Sequence, residues 1–180
     1  MAAAKLENGG WARFDSLARR LIEGWALLGG VLLVLIALMN TWSVISLATL
    51  GFPVPGDFEM VQMGVAVVAF SFLPYCQLKG ANVTADIFTA GASRVTVAVF
   101  TLLAALAAAF FSVLLLWRMS DGMVSYLRFK EVTTILNIPV WIAYPPILAS
   151  LALLVLAAGV TLHEAIMEMR PGKPASPDLN

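Results

Sequence analysis

One cysteine and one histidine occur in the 180 residues. Cys76 has no partner for an internal disulfide, and its apolar surroundings disfavour an intermolecular one; a single His beside a single Cys makes a poor metal set. Charge is scarce too: Asp, Glu, Lys and Arg make up 12% of the chain, where a soluble domain carries roughly 25%. The formal net charge is zero, so nothing points to nucleic acid. Within the long apolar runs described next, the third and fourth hold no acid, base or histidine until their ends. That argues against a proton relay or an ion-coupled carrier, which place ionisable groups at mid-membrane. A haem bundle needs axial ligands such as paired histidines. No Ser/His pair, Cys/His pair or cofactor-ligand set lies within the runs, so the chain reads as a non-enzyme without a cofactor of its own.

What is present is oil-soluble. Hydrophobic residues reach 61%, with a mean hydropathy of +0.90. Four apolar runs occupy about 24–50, 58–78, 95–117 and 138–162. A hydrocarbon core about 30 Å thick is crossed by a helix of about 20 apolar residues. Unpaired backbone amides are not tolerated in lipid, so each crossing is a helix. The expected fold is an all-α membrane protein with four transmembrane helices. No linker divides the chain, and no internal repeat suggests an inverted-repeat transporter within it. The first run exceeds the roughly 7–15 apolar residues of a cleavable signal.

Residues 1–23 are expected to form a cytoplasmic segment holding an amphipathic helix. Trp11, Phe14, Ala18, Leu21, Ile22 and Trp25 share one helical face, and Arg13, Ser16, Arg20 and Glu23 the other. That pattern suits a helix in the headgroup layer; the alternative is simply the start of the first span. The tail, 163–180, is rich in proline and polar residues beyond Arg170 and is expected to be disordered. Alternate segments carry eight basic residues on one side and three on the other, Arg118, Arg128 and Lys130 being the three. The positive-inside rule then places both termini in the cytoplasm of a multi-pass inner-membrane protein. The third loop is the weak point, because its charges fit a helical extension equally well.

Several residues have simple readings. Asn40 sits part-way along the first span and is expected to be buried as a cross-helix hydrogen-bonding amide. Ala104, Ala105, Ala108, Ala109 and Ser112 form small strips that let another helix approach. Pro145 and Pro146 either bend the fourth span or set where its regular helix starts. His163 is a polar group near a helix C-terminus, or a proton-sensitive contact. Between the first two spans, Pro53, Pro55 and Gly56 enforce a turn, Asp57 is placed to cap the second helix, and Glu59 falls in its first turn. Glu59 has no basic neighbour in its loop, so pairing with a cation on another chain is the alternative. Lys79 reads as a snorkelling anchor, Asp86 as a cap or a solvated acid, and Glu131 and Thr133 as surface groups, a cap or partner contacts.

Three segments carry a resemblance. Pro55-Gly56-Asp57-Phe58-Glu59 resembles the start of the second span in the small membrane subunit (DctQ type) of tripartite ATP-independent periplasmic (TRAP) transporters. Leu78-Lys79-Gly80-Ala81-Asn82-Val83-Thr84-Ala85-Asp86 is similar to the basic–Gly–x–His–Val–x–Val–Asp segment that follows it there. The stretch from Glu131 through Thr133, Leu136, Ile138 and Pro139 to Trp141 resembles the approach to that family's fourth span. The chain departs from the pattern in two places. It has no Arg or Lys between Arg20 and Lys79, where the family often carries Arg-Tyr, and Asn82 stands at the motif histidine.

The resemblance implies a non-catalytic subunit that binds and braces a large transporting membrane subunit (DctM type). That partner carries the sodium and substrate sites and is fed by a periplasmic substrate-binding protein (DctP type), often with an organic acid. It also makes Asp57, Glu59, Lys79, Asn82, Asp86, Glu131, Thr133 and Trp141 candidates for contact with those partners. The reading from another class is an independent small exporter working as a homodimer, with Glu59 as its proton-coupled residue.

Overall fold

The computed structural model describes the backbone of residues 2–80 and 94–168 and the side chains of 15–80 and 99–167. Four long helices account for most of it: α1 (Ala2–Leu50), α2 (Asp57–Leu78), α3 (Arg94–Phe129) and α4 (Tyr144–Glu168), with a short 3-10 turn, Val140–Ala143, leading into α4. No strand occurs among the described residues beyond one isolated bridge between Val132 and Pro139. Each helix contains a stretch long and apolar enough to cross a membrane: Asp15–Leu50, Asp57–Leu78, Val99–Phe129 and Val140–Met167.

The helices stand in a row rather than closing into a square. The α1 helix packs along α2, α2 along α4, and α4 along α3, whereas α1 and α3 share no substantial contact. Small residues make the seams tight. Gly29 of α1 faces Ser71 of α2 so closely that a Cβ on Gly29 would lie 2.8 Å from the Ser71 Cβ. Gly64 of α2 gives the same room to Ile36 of α1. On the far side, Ala105 and Ser112 of α3 are buried, so the small-residue strip is in part a packing seam; Ala104 stays open. Ile147, Leu151 and Leu154 of α4 gather Ala66, Val67 and Phe70 from α2 and Leu115, Leu116 and Met119 from α3.

Polar groups inside the bundle are mostly hydroxyls, joined by the Gln77 amide, whose Nε2 donates to Thr161 Oγ1 of α4 at 3.2 Å. Ser71 Oγ donates to the Val67 carbonyl at 2.8 Å, and Ser150 Oγ to the Pro146 carbonyl at 2.8 Å. The two oxygens lie 3.4 Å apart, and Trp25 Nε1 donates to Ser150 Oγ at 2.9 Å. One knot therefore ties α1, α2 and α4. A serine can sit in an apolar span because its proton returns to its own helix carbonyl, which leaves lone pairs for a neighbour.

Three expectations change. The amphipathic segment is helical and continuous with the first span, as the alternative reading had it, and the described part of its apolar face is largely covered by protein. Ala18 and Ile22 are buried, Ile22 against Leu78 and Ala157, while Arg19 bonds Asp15 and reaches Glu164 Oε1 at 2.6 Å. Leu21 alone of its described apolar residues is left open. Asn40 is exposed instead of buried, because α4 meets α1 only toward its N-terminal half; the cross-helix polar contacts come from Trp25, Ser71 and Ser150, and the buried amide that bonds across helices is Gln77, to Thr161. The α3 helix runs to Phe129, past the expected end at 117, so Arg118 and Arg128 lie on helix, as the extension reading allowed. The paired prolines fall in the first turn of α4, where no backbone N–H is needed, and set its start. The tail beyond 168 lies outside the described residues.

Replacing Gly29 with leucine is expected to separate α1 from α2 and abolish a cooperative thermal transition in detergent. Ser150→Ala, which removes only the hydroxyl knot, is expected to lower stability by about 0.6–2 kcal/mol. Unfolding in graded denaturing detergent reads both.

Candidate partner surface

At the end of the row where α1 and α3 finish and α2 and α4 begin, two connections are knitted into one platform. Gly51 (φ +82°) and Gly56 (φ +74°) turn the chain from α1 into α2, in a backbone region that favours glycine. Ser46 Oγ donates to the Phe52 carbonyl at 2.9 Å, and Ser43 Oγ accepts the Val54 N–H at 3.1 Å. The same Ser43 hydroxyl donates to Asp57 Oδ2 at 2.5 Å, and Asp57 Oδ1 accepts the Phe58 N–H at 2.7 Å. Gly56, not Asp57, is the residue flanking the helix, with no side-chain cap. Asp57 is therefore the first helical residue, and its carboxylate locks the turn onto α1.

Glu59 reaches the other connection. Its Oε1 accepts the Ile135 N–H at 2.7 Å and its Oε2 the Leu136 N–H at 3.0 Å. Successive amides aimed at one carboxylate form a small anion nest, so this acid has a partner in its own chain without any cation. The receiving loop is itself ordered. Thr133 N donates to the Ile138 carbonyl at 2.9 Å, Thr133 Oγ1 accepts the Ile138 N–H at 3.1 Å, and Val140 N donates to the Glu131 carbonyl at 3.1 Å. Asn137 (φ +53°) closes the turn, and Asn is among the few residues that tolerate that backbone. Leu136 fills the place a Cβ of Gly56 would take, with its Cγ at 2.3 Å from that position.

The structure thus brings together Asp57, Glu59, Glu131, Thr133 and the half-buried Trp141 in one platform. Lys79 lies at the opposite end, bonded to Glu23 at 3.1 Å and 5.6 Å from the centre of the Tyr75 ring. Asn82 and Asp86 lie outside the described residues. Sequence reasoning missed Ser43 and the Ile135–Leu136 amides. Serine is unremarkable in an apolar run, and a backbone donor leaves no residue-type signal. The open part of the platform is mixed: Phe52, Phe58, Phe129, Val132 and Ile135 are exposed beside Lys130, Glu131, Thr134 and Asn137. Among the described residues no group of His, Cys, Asp and Glu is arranged to hold a metal ion.

A row of apolar helices with hydrogen-bonded ends and wide open apolar sides defines a multi-pass α-helical membrane protein. The family model for the DctQ component of tripartite ATP-independent periplasmic transporters matches residues 36–167. The chain belongs to that family, and is a small permease component of a TRAP transporter rather than an enzyme. Comparison with curated proteins finds no match.

Gly56→Ala is expected to force Leu136 away and to strain the left-handed turn, releasing the loop at 130–139 to added protease several-fold faster. Adding Leu136→Ala should restore part of the protection, because it relieves the clash and leaves the backbone strain. Glu59→Gln, which keeps the shape but removes one anionic acceptor, is expected to expose the same loop.

Proposed function

We propose that this subunit braces the large membrane subunit of a sodium-coupled TRAP uptake transporter and offers its platform to the periplasmic substrate-binding protein. In this reading the large DctM-type partner holds sodium and solute, and the chain described here carries no cofactor. The observation that supports it best is what the platform acids do. Asp57 and Glu59 spend their oxygens on Ser43 and on the amides of Phe58, Ile135 and Leu136, which stiffens the end of the bundle. A carboxylate held that way is a fastener rather than a carrier of protons or solute.

The sides of the row supply the bracing surface. Leu27, Leu28, Leu38 and Trp42 on α1, and Phe110 and Phe111 on α3, all face outward. Such surfaces suit lipid and a neighbouring membrane protein equally, and a moving partner needs a neighbour that does not deform with it. The charge balance supports the proposed topology, with both termini in the cytoplasm and the platform on the periplasmic side. In that orientation Lys79, Glu23, Arg19 and Glu164 form a cytoplasmic cluster of ion pairs.

Affinity purification from native membranes is expected to bring down a much larger polytopic protein with this chain, and proteoliposomes holding the chain alone are expected to take up no solute. Uptake by the isolated chain contradicts the proposal. Glu59→Gln separates it from the homodimeric exporter: an exporter loses proton coupling outright, whereas a brace shows at most weakened recovery of the large subunit.

A further inference from the structure

The contacts between helices fix their relative heights. Ser43 of α1 lies beside Asp57 of α2, Ile36 beside Gly64, and Gly29 beside Ser71. Ser71 meets Ser150 of α4, and Leu78 clusters with Ala157. Tyr144 of α4 lies against Gly122 of α3, with its ring 5.3 Å from that of Tyr126. With α2 as the ruler, the ends of the apolar run on each helix can be compared directly.

The two boundaries do not run level. At the platform end, the run on α1 continues to Gly51, about seven residues or ~10 Å beyond the height of Asp57. On α2 and α4 it stops at Asp57 and Asn137, at nearly one height. On α3 it stops at Arg118, about twelve residues or ~18 Å short of that height. At the other end the order repeats. The run begins after Glu23 on α1, ends at Lys79 on α2 and His163 on α4, and begins only after Arg94 on α3, about 20 Å past the height of Lys79. Both boundaries therefore step the same way along the order α1, α2, α4, α3, by about 25 Å in total over at most three helix spacings of 8–10 Å each, α1 also touching α4 toward its N-terminal half.

We propose that the surface this chain presents to the lipid bilayer is an oblique belt, and that the row sits inclined by about 40° in the membrane, at the upper end of the usual range of helix tilts. An upright row has three faults at once. It holds the ion pair of Arg118 and Asp121, whose side chains are 76% and 61% exposed, against hydrocarbon near mid-height. It lifts Val44, Ile45 and Leu47 into the headgroups and water on one side. It pushes Phe100, Leu103 and Leu106 out on the other.

A single inclination removes all three. Trp117, 70% exposed, and Arg118 then lie together at the headgroup layer, as an aromatic and a basic anchor do at a membrane surface. The last turns of α3, with Phe129 and the loop that follows, stand clear of the bilayer. A path of about 30 Å taken at that angle needs about 26 residues of helix; the apolar run of α1 is of that order, and those of α2 and α3 are a few residues shorter.

The test uses the full-length chain, carrying Cys76→Ser, in vesicles of phosphatidylethanolamine and phosphatidylglycerol. A nitroxide is placed at Leu103→Cys, Arg118→Cys or Val124→Cys, all outward-facing positions on one helix. Relaxation by oxygen and by a nickel chelate ranks their depth. The inclined belt predicts Leu103 rich in oxygen, Val124 open to nickel with an oxygen-to-nickel ratio at least tenfold lower, and Arg118 between them. An upright row reverses the order of Leu103 and Val124, and that result overturns the proposal. So does a label at Arg118 shielded from both reagents, which would mean that protein covers the ion pair. Leu103 and Val124 alone decide the matter should Arg118→Cys not fold.

Discussion

Three helices meet where Gly29, Ser71 and Ser150 come together, and the rest of the structure depends on that approach. In lipid there is no hydrophobic gain from bringing two apolar helices together, because the acyl chains are as apolar as leucine. Association relies on close packing and on hydrogen bonds. The missing side chain of Gly29 lets α1 come within contact of the Ser71 Cβ, and the Trp25–Ser150 bond adds a polar tie beside it. Move that seam outward by one methyl group and Ile36 no longer fits over Gly64, nor Ser43 over Asp57. The platform would lose its anchor on α1, Ser43, about four turns away from the change.

The platform extends the same economy to the loops. Two of its acids bridge separate elements: Asp57 joins the first connection to α1, and Glu59 joins α2 to the turn before α4. In a soluble protein such acids at a helix start are commonly explained by the helix dipole alone. Here the dipole favours the charge, but the geometry is set by specific donors. The second connection, from Lys130 to Pro139, has one isolated bridge, Val132 to Pro139, and those two amides, the Thr133 turn and the seat of Leu136 on Gly56 add the ties that hold its conformation.

Much of the fold was legible in the sequence because the bilayer makes the signal coarse. Four apolar runs read as four helices, and Asp57–Leu78 falls almost on its expected bounds, between a proline-glycine turn and Lys79. Where reading failed, the physical reason differs in each case. Asn40 was expected to be buried because an amide in an apolar run needs a partner; hydropathy carries no information about which face is open in a row of helices. The end of α3 was placed at Trp117 because Arg118 closes the apolar run, yet helix formation does not stop where hydrophobicity does, and residues 118–129 contain no proline to end it. The amphipathic face before Gly24 suits headgroups in the sequence, but the pattern fixes a stripe and not what covers it; over Ile22 the cover is Leu78 of α2 and Ala157 of α4. Glu59 was recognised as lacking a basic partner, and the family resemblance gave it interest, but its true acceptor role depends on amides seventy-odd residues away.

An open row also explains why a protein of this composition need not contain a site of its own. A closed bundle encloses a core, where a cavity or a buried charge becomes possible; a row of four helices has seams but little interior. Its serines are satisfied by backbone carbonyls and by one another, and its acids by amides and hydroxyls at the edge. What remains unsatisfied is area: the flanks of α1 and α3 and the phenylalanines of the platform. Area without chemistry is what a neighbour can lean on. If the row is inclined, its flanks meet a partner's helices at an angle instead of alongside, so the contact concentrates at a crossing. On the proposed bracing role, such a contact holds the partner at one height in the membrane and leaves the rest of that partner's surface free to move.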